Sequence, residues 1–82
     1  ARLLTFSHRY SLEAGLWDAG QVRISVNGGA FTLVPAGNFL ANGYAEGAII
    51  GNGIALGQRG FNGESAGYAG GTFITSTAVL GN

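Results

Sequence analysis

The chain has 82 residues, and 16 of them are glycine, roughly a fifth of the total against a usual share of about 7%. Four arginines balance four carboxylates, there is no lysine, and the net charge is zero, so no electrostatic footprint points to nucleic acid or an anionic membrane. The absence of cysteine excludes disulfides, thiolate metal sites and cysteine nucleophiles. No apolar run approaches the roughly 18 residues a membrane-spanning helix needs, so membrane insertion is not expected.

A content of 46% hydrophobic and 11% aromatic residues is globular rather than disordered. Residues 1–82 read as one domain, at the lower edge of what a single core can stabilise without a staple. Glycine raises the entropy cost of ordering that backbone. Help is therefore expected from a metal, a partner surface or further residues. Both ends, at Ala1 and Asn82, read as cut.

Residues 2–10 alternate. Leu4, Phe6, His8 and Tyr10 fall on one face and Leu3, Thr5, Ser7 and Arg9 on the other, the period of a half-buried strand. Residues 21–27 repeat the pattern with Val22, Ile24 and Val26. Asn27-Gly28-Gly29 then favours positive φ and a tight turn. Phe31 and Leu33 follow on one face, so 21–34 reads as a β-hairpin. Residues 36–71 hold most of the glycines, with short apolar pieces at Phe39-Leu40, Ala48–Ile50 and Ile54–Leu56. One or two short strands within long loops are expected there. The β-branched run over 72–79 reads as a strand. No segment has a capped helical period, so the class is all-β, an antiparallel β-sandwich. Asn-Gly recurs at Asn42, Asn52 and Asn62, but no apolar position repeats with it, so these read as recurring turns rather than a solenoid.

Little of this carries catalytic chemistry. His8 is the only histidine, and a triad would need a serine and a carboxylate beside it. Its place between Phe6 and Tyr10 reads instead as a packed or hydrogen-bonded core histidine. There is no nucleophile elbow and no phosphate-binding loop. Glu46 and Glu64 have no fixed relation to another acid, so a two-carboxylate hydrolase has little support. Glu13 and Asp18 share one short connection and could supply part of a Ca²⁺ shell, which takes six to eight oxygens; the alternative is two solvated loop carboxylates. Tyr44, Phe61 and Tyr68 lie in glycine-rich loops. They could stack on a glycan at a sandwich rim, or anchor the core.

Two stretches carry a family resemblance: Leu4-Thr5-Phe6-Ser7-His8-Arg9-Tyr10-Ser11-Leu12-Glu13, and Trp17-Asp18-Ala19-Gly20-Gln21-Val22-Arg23-Ile24-Ser25-Val26-Asn27-Gly28-Gly29. They resemble the accessory jelly-roll, MAM-like β-sandwich modules of secreted bacterial proteins, such as the one in immune inhibitor A-type metalloproteases. Phe61-Asn62-Gly63 and the strand at 73–80 are similar to a later part of that pattern. The resemblance implies a non-catalytic, extracellular or cell-surface module of a larger protein, with calcium at Glu13 and Asp18. It also implies further strands after Asn82, so the sandwich is expected to be incomplete within this chain. Partners would then be other domains of the parent chain or neighbouring copies. The other class kept open is a Gly-rich structural subunit that self-assembles into a filament or layer by strand exchange.

Overall fold

A computed structural model of the chain describes residues 2–51 and 57–81. The expected piece at Ile54–Leu56 and the Asn52-Gly53 pair lie outside the described residues. The described chain is all-β. Five strands run in the order β1 (Arg2–His8), β2 (Arg23–Ile24), β3 (Thr32–Leu33), β4 (Phe39–Ala41) and β5 (Ile74–Gly81). Two single-turn 3₁₀ segments lie at Ala36–Asn38 and Tyr68–Gly70. They form two small antiparallel sheets, one of three strands in the order β1-β5-β4 and one of two, β2-β3.

The alternation in β1 decides its two faces. Leu4, Phe6 and His8 pair with Ala78, Ser76 and Ile74 on the inner face. Leu3, Thr5 and Ser7 pair with Val79, Thr77 and Thr75 on the outer one, and all three are exposed. β4 completes the sheet, pairing Phe39 with Ala78 and Ala41 with Thr77 across an irregularity in register. The β-branched content of β5 suits this central position, where each side chain packs between two neighbours on a pleated surface.

The expected hairpin over 21–34 forms, with a shorter ladder than its alternation suggests. Only Arg23↔Leu33 and Ile24↔Thr32 pair. Its tip is a turn closed by the Gly29 amide donating to Val26 O at 2.9 Å. Asn27 and Gly28 sit in it at φ 52 and 77, the left-handed pair of a type I′ hairpin turn. Pairing Ile24 with Thr32 leaves an odd number of residues between the strands, so the turn cannot be flanked symmetrically. Val26 and Phe31 are therefore outside the ladder, and both are exposed.

The core lies against the inner face of the three-stranded sheet. Val34, Tyr44, Ile49, Phe61 and Ala78 are buried. The glycine-rich segment 57–65 is bound edge-on to the loop after β1. Leu12 N donates to Gly63 O, Ser65 N donates to Tyr10 O, and Gly20 and Phe61 exchange both backbone hydrogen bonds. Gly51 shows why this region is rich in glycine: a Cβ there would overlap Trp17 O. Two backbones touch at a distance that only a residue without a side chain permits.

Candidate functional site

Glu13 and Asp18 both fall in the ordered loop 12–20, and both are exposed. Asn62, across from them, organises the loop. Its Nδ2 donates to Glu13 O at 2.9 Å and Asp18 O at 2.7 Å, while its Oδ1 accepts from Leu16 N at 3.2 Å. Ile50 N adds a further bond to Leu16 O. The loop's shape thus comes from an amide side chain that satisfies three backbone groups. Among the described residues no group of three or more His, Cys, Asp or Glu side chains comes together. Calcium draws heavily on backbone carbonyls, and the carbonyls of Glu13 and Asp18 already face Asn62.

The three aromatic candidates are placed differently from one another. Phe61 is the hub of the core. Its ring centroid lies 4.8 Å from His8, 5.0 Å from Tyr44, 5.3 Å from Tyr10 and 5.9 Å from Phe39, with Phe6 at 6.5 Å. Tyr44 is buried beside it, and its hydroxyl both accepts from Val22 N at 3.1 Å and donates to Val22 O at 3.2 Å. That hydroxyl ties the two-stranded sheet to the core. Burial pushes the Tyr44 phenol above its ordinary value, opposed by the Val22 hydrogen bond and the Arg23 charge. Stacking on a sugar needs an open ring face, and Tyr44 and Phe61 have none. Tyr68 is only partly covered; Arg9 lies 3.9 Å over its ring and donates from Nη2 to Tyr68 O.

His8 is hydrogen-bonded as well as packed. Its Nε2 lies 2.7 Å from the Oγ of Ser76, which is fully buried. Ser76 Oγ in turn donates to Asn42 O at 2.7 Å. A hydroxyl has one proton to give, so Nε2 must carry the proton shared with Oγ. The imidazole is therefore not placed to take a proton from that serine, as a general base would. Burial lowers the His8 pKa.

Arg23 closes a polar cluster under the hairpin. It donates from Nε and Nη2 to Gln21 Oε1, and from Nη2 to Gln58 Oε1 at 2.8 Å. Gln21 Nε2 bonds Arg59 O. Alternation sets Gln21 and Arg23 opposite Val22, Ile24 and Val26; the structure half-buries both against the glycine-rich segment. Arg59 and Glu46 form an ion pair at 3.4 Å whose carboxylate is almost wholly exposed, a contact worth little. No helix among the described residues is long and apolar enough to cross a membrane. No family model, curated protein or solved structure matches this chain.

Proposed function

We propose that this chain is a non-catalytic, jelly-roll-like β-sandwich module of an extracellular or cell-surface protein, and that it works by packing against other domains of its parent chain or neighbouring copies. One observation carries the reading: among the described residues, large apolar side chains are as much a feature of the surface as of the core. Leu3 and Leu40 on the three-stranded sheet, Val26 and Phe31 on the hairpin, Trp17 and Ile50 on adjoining loops, and Phe73 before β5 are all more than half exposed. Scattered single residues of this kind are ordinary. Here they outnumber the buried hydrophobics of a small core, and Leu3 and Leu40 belong to the same three-stranded sheet, which supports an interaction surface there. The test is sedimentation across a concentration series, with binding of an apolar-surface dye alongside. The expected result is self-association or strong dye binding, reduced in a Leu3→Lys/Leu40→Lys variant that keeps its β-type circular dichroism. A chain that is monomeric and dye-silent at every concentration overturns the reading.

The filament or layer reading is favoured by a separate feature. β1 is an edge strand of seven residues with no proline, and its outer side has no backbone partner among the described residues. Such an edge is a template for an added strand. Regular assemblies in electron micrographs would support strand exchange; dispersed particles at high concentration would remove it.

Calcium at Glu13 and Asp18 rests on their shared loop and on the family resemblance, and sugar binding rests on Tyr68, the one candidate aromatic that is not buried. If an ion is held in the loop, saturating calcium raises the melting temperature of the wild type and not of Glu13→Ala. Equal behaviour of the two chains takes the ion out of the proposal.

A further inference from the structure

The recurring Asn-Gly pairs have a chemistry of their own. In such a pair the glycine amide nitrogen, having lost its proton to solvent base, can attack the asparagine Cγ. The new N–Cγ bond closes a five-membered succinimide, the Cγ–Nδ2 bond breaks, and the nitrogen leaves as ammonia. Water then opens either of the two ring carbonyls, giving aspartate or isoaspartate. Glycine favours this because it has no side chain to obstruct the approach. What decides between sites in a folded chain is whether the amide and the following nitrogen are free to meet.

Three of the pairs are described, and the fold treats them differently. Asn42 Nδ2 donates to Thr75 O at 2.7 Å, its own carbonyl accepts from Ser76 Oγ, and Gly43 is packed so closely that a Cβ would lie 2.7 Å from that of Phe39. Asn62 has both atoms of its amide committed to the 13–18 loop. Asn27 is exposed at the hairpin tip. Among the described residues its side chain has no hydrogen bond and the Gly28 amide donates to no backbone acceptor; only Gly29 N closes the turn. Nothing within 4 Å crowds Gly28.

We propose that Asn27 is a spontaneous deamidation site, and that the fold protects Asn42 and Asn62 from the same reaction. Each event adds one negative charge to a chain whose net charge is zero. The isoaspartate product also inserts a methylene into the main chain of a turn that has two left-handed residues and no slack. The hairpin tip carrying Val26 and Phe31 would lose its shape.

The experiment is ageing of the folded chain in mildly alkaline buffer, with peptide mapping by mass spectrometry and chromatographic separation of the isoaspartyl products. A parallel sample is aged in denaturant, and the Asn52 product is scored separately. Asn42 and Asn62 must first break their hydrogen bonds by local opening, so Asn27 is expected to convert about tenfold or more faster in the folded chain. The three rates should converge in denaturant. Comparable conversion of Asn42 or Asn62 in the folded chain overturns the proposal. So does an Asn27 preference that persists unchanged in denaturant, because local sequence rather than the fold would then set the order.

Discussion

His8 and Phe61 show how much of this small fold depends on single side chains. Phe61 touches five other rings, so truncation removes the centre of the cluster rather than its rim. Phe→Ala changes in cores cost about 3–5 kcal/mol, and a chain of this size has only about 4–12 kcal/mol of stability in total. Phe61→Ala is expected to abolish or sharply lower the urea midpoint, read by tyrosine and tryptophan fluorescence. His8 adds a pH dependence. Burial holds its pKa below the ordinary value of about 6.5. Above that value both folded and unfolded chains carry a neutral imidazole, and His8 contributes no slope. As pH falls below it, the unfolded chain takes up the proton first. Stability is therefore lost between about 6.5 and the lower folded value. Thermal melts from neutral to mildly acidic pH should show that decline, and His8→Gln should remove it. An identical slope in the variant would show that His8 is not its source.

At the scale of elements, strands were legible and loops were not. The period of two in 2–10 gave β1 and the side it buries, because a strand's faces are a local property. The Asn-Gly-Gly turn likewise marked the hairpin through local backbone chemistry. Segment 36–71 was legible at Phe39-Leu40, where β4 forms, and opaque elsewhere for the opposite reason. Its hydrogen bonds run to residues far away in sequence, such as Ala45 N to Gly60 O and Gly20 N to Phe61 O, and no periodicity records them. The candidate site was half legible. Glu13 and Asp18 do share a loop, but the residue that shapes it, Asn62, lies more than forty positions away and read only as one more turn asparagine. The glycine around Tyr44 and Phe61 in sequence leaves a rim and a core placement both open; in space they sit at the centre. The loop makes a direct test. Asn62→Ala leaves Leu16 N, Glu13 O and Asp18 O without their partner. A loss of about 1–3 kcal/mol, with faster amide exchange confined to the loop, is expected. Gly51→Ala should cost a similar amount by a different route, pushing the Trp17 backbone away at about 1–3 kcal/mol of overpacking. Its denaturation midpoint would show the loss with no change in the protonation behaviour of His8.

The whole molecule exposes more than its mass requires. Its accessible surface is 5015 Å², against about 4,600 Å² for a folded chain of 8.3 kDa. The radius of gyration is 12.9 Å, where about 12 Å is usual for this length. The core covers only one face of the three-stranded sheet, and Leu3 and Leu40 in its strands are more than half exposed. A partner that binds the folded chain alone adds stability by mass action, and the form of that dependence separates the two kinds of partner. If the surface is covered by another copy, the melting temperature rises with protein concentration, and Leu3→Lys/Leu40→Lys flattens the rise. If another domain of the parent chain covers it, the melting temperature of the isolated chain is independent of concentration. It then rises only when the flanking sequence is restored, by several degrees for each kcal/mol the contact contributes, since about 4–8 °C corresponds to 1 kcal/mol in a domain this small. Calorimetry over a wide concentration range, on the chain alone and with its flanking sequence, reads both dependences. A melting temperature that responds to neither would show that the exposed face has no partner, and that the fold stands on the Phe61 cluster alone.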